Sequence, residues 1–130
     1  MLLDTSGLLC LHHQAEPFHA QAQAAYRTAK IRLTHSYILA EWVALAHARR
    51  LPRLAALTFL RDLLENPDIE TVWVDETLHR AATALLLARL DKTYSLCDAV
   101  SFVLMRQRHI QEALTTDHHF EQEGFRRLLG

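Results

Sequence analysis

The sequence predicts an α/β protein built on a mainly parallel sheet. Short strand-like runs alternate with longer helical segments along the whole chain, the pattern of strands linked by helical crossovers. Half of the 130 residues are apolar, with only three glycines and three prolines, so a compact, helix-rich globule is expected. A chain of this length fits one domain over 1–130, with roughly two-thirds of its unfolded surface buried.

The elements follow in order. "MLLD" (1–4) begins as a buried strand ending at Asp4, and "TSGLLCLHH" continues as a short helix. Residues 17–29 are rich in Ala and Gln, and Pro17 suits a first helical position. "IRLTH" (31–35) is a second strand, and "SYILAEWVALAHAR" (36–49) is a helix apolar on most sides, hence expected to be buried. Pro52 opens the next helix, which Asn66-Pro67 ends. "IETVWV" (69–74) is β-branched and aromatic enough for a third strand. The helix over 75–90 has an acidic start and Arg89 near its end, both favourable to the helix dipole. The segment 95–109 is a further apolar helix, "EALTT" (112–116) a fourth strand, and "FRRLL" (125–129) a fifth.

Composition narrows the function. Fourteen Lys and Arg against fifteen Asp and Glu argue against coating duplex DNA by bulk charge, although an acidic pocket within a basic rim also sums to zero. Cys10 and Cys97 are far apart, outside any C-x-x-C pattern, and sit among apolar residues, as reduced thiols in the cytosol would. No signal-like start and no uncharged apolar stretch of membrane-spanning length is visible, so the expectation is a soluble, cytoplasmic protein without membrane contact.

Ligands of parallel sheets sit beyond the carboxyl ends of the strands. Asp4 ends the first strand, where it serves equally as a helix N-cap or as a pocket residue. Asp117, in "ALTTDHHF", ends the fourth, where it could equally be turn chemistry. Asp98 follows Ser95 at capping-box spacing. Glu41 lies mid-helix among Ile38, Ala40, Trp42 and Leu45, with no Lys or Arg three or four residues away. A buried, unpaired carboxylate there would need a cation, a proton or hydrogen-bond donors. Together the four can face one pocket, where clustered carboxylates call for a hard divalent cation, Mg²⁺ or Mn²⁺ rather than zinc. Such ions can activate water and stabilise charge on a phosphate oxygen.

Other patterns carry less. Adjacent His118 and His119 would diverge on a regular element, and His12 and His13 read as solvated helix-end residues, so no imidazole metal site is expected. The chain has no G-x-G-x-x-G or G-K-[ST] loop, and Ser6, Ser95 and Ser101 lie in no Ser-His-Asp pattern. Arg49, Arg50 and Arg53 form a basic group that is either a solvated turn or a contact for RNA or an acidic partner.

"MLLDTSGLL" at the start, "THSYILAEWVAL" (34–45), "DKTYSLCDAVSFVLM" (91–105) and "ALTTDHHFEQEGFRRL" (113–128) together resemble PIN-domain ribonucleases, above all the VapC-like toxins of toxin–antitoxin pairs. The ordered set of four motifs is specific where each alone is weak. The resemblance implies a three-layer α/β/α sandwich and Mg²⁺- or Mn²⁺-dependent RNA cleavage, leaving 5′-phosphate and 3′-hydroxyl ends. It places the acidic quartet at Asp4, Glu41, Asp98 and Asp117, with Ser6 and Thr115 as supporting hydroxyls, and puts Cys97 where a Thr is frequent. It also implies a homodimer and an antitoxin that covers the acidic groove with a basic side chain. Apolar residues of 36–64, namely Trp42, Leu54, Leu57 and Leu60, are expected to offer exposed surface for such contacts. A nuclease outside any toxin pair, acting in RNA processing or on DNA, and a catalytically silent RNA- or protein-binding module are the alternatives.

Overall fold

In the computed structural model, which describes residues 1–130, the chain runs β1 (Leu2–Leu3), α1 (Thr5–His12), α2 (His19–Thr28), β2 (Leu33–His35), α3 (Ser36–Ala48) and α4 (Arg53–Glu65). It continues through β3 (Glu70–Val72), α5 (Glu76–Leu87), α6 (Leu96–Gln107), β4 (Glu112–Leu114), α7 (His119–Gln122) and β5 (Arg126–Arg127). The strands form one sheet in the order β3-β2-β1-β4-β5, every pair parallel, with helices around it in the α/β/α arrangement.

Central strands of such a sheet are covered on both faces, which explains their unbroken apolar runs. Leu2, Leu3, Leu33, Ala113 and Leu114 are all fully buried. They anchor a core of 23 residues that includes Trp42, Phe102, Met105 and Phe120. The fully buried polar residues are bonded, and Thr71 Oγ1 on β3 is the one buried polar side-chain atom without a partner. Neutral His35 caps α3 by accepting from the Ile38 N–H, while its Nε2 lies 2.8 Å from Ser101 Oγ. Ser101 in turn donates to the Cys97 carbonyl, so the His35 ring proton sits on Nε2 and points at Ser101. Burial holds the His35 imidazolium far below its ordinary range, at about 3.

At Gly7 the backbones of α1 and β4 nearly touch. A Cβ there would lie 2.0 Å from the Leu114 carbonyl oxygen, so only glycine fits. This contact brings the start of α1 over the end of β4.

Several boundaries differ from expectation. Pro17 lies in a turn, and α2 begins two residues later at His19. β2 starts at Leu33 rather than at 31, and β4 stops at Leu114, so Thr115, Thr116 and Asp117 form a loop instead of a strand end. The four-residue α7 was too short to leave a periodic signal. Arg89 lies beyond α5 and bonds the buried Glu123 carboxylate. Trp42 is fully buried and donates its indole N–H to the Ala56 carbonyl, so it offers no surface, whereas Leu54 is 81% exposed and Leu57 38%. His12 is half-buried with its ring against Trp42 and Phe59, not solvated. No helix is long and apolar enough to cross a membrane.

Candidate active site

From β1 the chain passes to β2 on one side, and β4 later adds on the other. The strand order therefore reverses between β1 and β4, where parallel sheets open a crevice at their carboxyl ends. Asp4 leaves β1 at that crevice, and Asp117 lies in the loop after β4. Asp98 comes from the first turn of α6 and Glu41 from the middle of α3. All four line one cavity of about 580 Å³, together with Thr5, Ser6, Ser95 and His119.

Each carboxylate is gripped through one oxygen. Asp4 occupies the N-cap position of α1, yet its side chain makes no cap bond. Its Oδ2 instead accepts from Thr115 Oγ1 at 2.7 Å. Thr115 Oγ1 also accepts the Asp117 N–H and lies 3.1 Å from Ser6 Oγ, which itself accepts the Thr116 N–H. With Asp4 ionised the Thr115 proton is committed to it, so the Ser6 hydroxyl must donate to Thr115. The two hydroxyls thus tie the loop after β4 to the start of α1, the supporting role the resemblance implied.

Asp98 completes the capping box with Ser95, and the same Oδ2 that accepts the Ser95 N–H also meets His119 Nδ1 at 3.1 Å. Asp117 Oδ1 accepts the His119 N–H at 2.9 Å, the geometry of an Asx turn. For both residues the local structural role and a place in the cavity hold at once. Thr5 Oγ1 donates to Glu41 Oε2 at 3.2 Å.

Glu41 corrects an expectation: it is exposed, not buried. Its apolar neighbours Ile38, Leu39, Trp42 and Ala46 form the buried stripe of α3, whereas Glu41, Ala44, Leu45 and Ala48 form the stripe that lines the cavity. His119 corrects another. Its ring lies against Tyr94 and its Nδ1 falls 3.3 Å from Asp117 Oδ1 as well as 3.1 Å from Asp98. The local signal would have been the Asp-x-His spacing at a helix start, where the turn folds the ring back toward the aspartate. Arg49 bonds Glu16, while Arg50 and Arg53 line a separate small cavity beside Trp42 and Leu57.

The electrostatics are those of an uncompensated anionic site. None of the four carboxylates is bridged to a Lys or Arg. Burial pushes Asp4 up to about 7 despite the Thr115 bond, and the nearby Asp98 and Glu41 charges add to the rise. Burial raises Asp98 too, opposed by the Ser95 N–H and reinforced by Asp117. The Cys97 thiol is held well above its usual range by burial and then by Glu41, Asp4 and Asp98 around it. Asp98, Asp117 and His119 offer donor atoms within 4.8 Å of one another. Oxygen-rich donors and unneutralised charge fit a hard divalent cation.

Residues 1–125 match the family model of the PIN domain. The chain belongs to the PIN-domain family and is VapC-like within it. Among solved structures it is similar to VapC20 of Mycobacterium tuberculosis, described as a sarcin-ricin loop cleaving toxin. That likeness has 25% identity and a TM-score of 0.88, covering 99% of this chain and 98% of that one. No curated protein matches the chain.

Proposed function

We propose that this chain is a divalent-metal-dependent endoribonuclease, acting as one domain over 1–130 and serving as the toxin of a toxin–antitoxin pair. The observation that supports it best is the gathering of Asp4, Glu41, Asp98 and Asp117, none bridged to a Lys or Arg, in one cavity at the switch point of a PIN fold. Likeness to VapC20 over nearly the full length of both chains favours the toxin reading. It makes a structured ribosomal RNA loop the first substrate to test.

In this reading the four carboxylates hold Mg²⁺ or Mn²⁺. When bound, the ion neutralises the cluster, lowers the pKa of water and offsets charge on the scissile phosphate. The chain's own residues supply geometry. Thr115, Thr5 and Ser95 each fix one oxygen of a carboxylate, which restricts rotation before any ligand arrives. Ala44, Leu45 and Ala48 give the cavity an apolar wall on the α3 side. Water adds to phosphorus as the P–O3′ bond breaks, and the 3′ oxygen takes up a proton, giving 5′-phosphate and 3′-hydroxyl ends.

The partners proposed are a second copy of the chain and an antitoxin that covers the acidic cavity. A cytoplasmic setting accords with this reading. The deciding experiment incubates purified protein with RNA carrying such a loop, with and without Mn²⁺, beside Asp98→Asn. Cleavage that needs Mn²⁺ and vanishes in the variant supports the proposal; equal cleavage by the variant overturns the site.

A further inference from the structure

His119 is the one cavity residue whose ring touches two of the carboxylates. Its Nδ1 lies 3.1 Å from Asp98 Oδ2 and 3.3 Å from Asp117 Oδ1, while its Nε2 lies 3.2 Å from Thr93 Oγ1. The Asp98 oxygen that meets Nδ1 is an acceptor only, so the proton sits on Nδ1, and the Thr93 hydroxyl then suits the other nitrogen as a donor. The ring is held edge-on against Tyr94, whose hydroxyl bonds the buried Glu123. Both ring nitrogens are therefore engaged, and the imidazole cannot rotate without losing a partner. On the carboxylate side, Asp98 Oδ1 and Asp117 Oδ2 accept no hydrogen bond.

We infer that His119 is a positioning residue: its Nδ1–H holds Asp98 Oδ2 and its main-chain N–H holds Asp117 Oδ1, so that the remaining oxygen of each is presented to a divalent ion. The inference rests on the carboxylate site proposed above. It also assigns Thr93 a part, since Thr93 orients the ring. Without the clamp, two like charges from different elements, α6 and the loop after β4, would swing apart. Partners of this kind, bonded to ligands rather than to the ion, typically change metal affinity roughly 10–100-fold.

The test is Mn²⁺ titration of the full chain, following free Mn²⁺ by electron paramagnetic resonance, for the parent, His119→Ala, His119→Asn and Asp98→Asn. The Asn amide can place an N–H where Nδ1–H stands. The expected result is Mn²⁺ affinity roughly 10–100-fold weaker in His119→Ala, within a few-fold of the parent in His119→Asn, and no nitrogen coupling in the bound-Mn²⁺ spectrum of the parent. Parent-like affinity in His119→Ala, with binding lost in Asp98→Asn, overturns the clamp while leaving the carboxylate site standing. Nitrogen coupling in the parent would make His119 a ligand, and equal losses in Ala and Asn variants would make the ring merely structural; either overturns the inference. If the parent binds no Mn²⁺ at all, both the site reading and the inference fall. Metal-free melting temperatures identify any variant that fails to fold, and the Asn variant alone then decides.

Discussion

The Thr115 hydroxyl donates to the buried Asp4 carboxylate at 2.7 Å, joining the residue after β1 to the loop after β4 across the switch point. The same oxygen accepts the Asp117 N–H, so one side chain sets the relation between two acids of the cavity. Thr115→Val keeps the shape and removes both of these bonds together with the one from Ser6. Leaving a buried acceptor and a backbone donor unpaired costs about 1–3 kcal/mol, measurable by urea unfolding at pH 8, where Asp4 is ionised. Thr115→Ser should restore most of it; a Val variant as stable as the parent would remove Thr115 from any supporting role.

Two buried groups give metal-free stability an unusual pH profile. Asp4 titrates at about 7 in the fold against an ordinary carboxylate value when unfolded, so the native state holds the extra proton in between and stability falls as pH rises. His35, held neutral down to about 3, does the reverse: the unfolded chain binds the proton below its ordinary value of 6.5, and stability rises with pH. Between about pH 4 and 6.5 the two slopes, each up to about 1.4 kcal/mol per pH unit, oppose each other. The parent in EDTA should therefore change little across that window, since the raised Asp98 and the lowered His12 again oppose each other. Asp4→Asn should show stability rising with pH. Denaturant midpoints at half-unit pH steps test this, and a falling profile in Asp4→Asn would contradict it.

The exposure of Glu41 separates binding from folding. Substituting an exposed carboxylate should move metal-free stability by no more than about 0.5 kcal/mol. Added Mn²⁺ should raise the parent's melting temperature by linkage, and Glu41→Gln should diminish that rise. An undiminished rise would place Glu41 outside the metal's reach.

Glu123 lies behind the cavity, where its carboxylate accepts from the hydroxyl of Tyr94, the ring that His119 rests on. Burial alone would raise its carboxyl, but the hydrogen bonds from Arg89 and Arg106 outweigh that and hold it below the usual range. Its side chain is 3% exposed, bridged to Arg89 at 3.0 Å and Arg106 at 2.6 Å. Glu123→Leu should cost about 3 kcal/mol, since the two half-exposed guanidinium groups recover part of their solvation. The parent gains this stability above the ordinary carboxylate range and loses it as pH falls through the lowered folded value. Thermal melts at pH 7 check the cost; a loss under about 1 kcal/mol would show the cluster to be dispensable.

An antitoxin that places Arg against the carboxylates would compete with the ion, because its planar fork pairs two carboxylate oxygens where the ion is proposed to bind. Inhibition of RNA cleavage should then weaken as Mn²⁺ rises. Inhibition that is equal at low and high Mn²⁺ would mean the antitoxin blocks RNA elsewhere.

The sequence disclosed what depends on apolar period and on acids at element ends. The order of the strands and of α1 to α6, the parallel sheet and the convergence of Asp4, Glu41, Asp98 and Asp117 on one cavity are legible in this way. Burial of Glu41 was misjudged because counting apolar neighbours ignores helical phase: Ile38 and Trp42 face the core while Ala44 and Ala48 share the Glu41 face. In sequence His118 and His119 read alike; the approach of His119 to Asp98 is a tertiary contact between α7 and α6, which no local spacing encodes. Nothing in the sequence signals that Ala56 accepts the Trp42 N–H, the bond that lets the indole lie in the core.

The contact at Gly7 has a bearing on how this protein can vary. Because α1 meets Leu114 through main-chain atoms, no side-chain layer separates them, and the spacing between Ser6 and Thr115 is inherited from the two backbones. Aliphatic residues elsewhere in the interior can be exchanged for others of similar volume without moving that seam. A single added methyl at Gly7, by contrast, would wedge helix from strand and pull the two hydroxyls beyond bonding distance. The tolerance of the fold to drift and the rigidity of its centre thus have the same origin, a place where one residue has no side chain to vary.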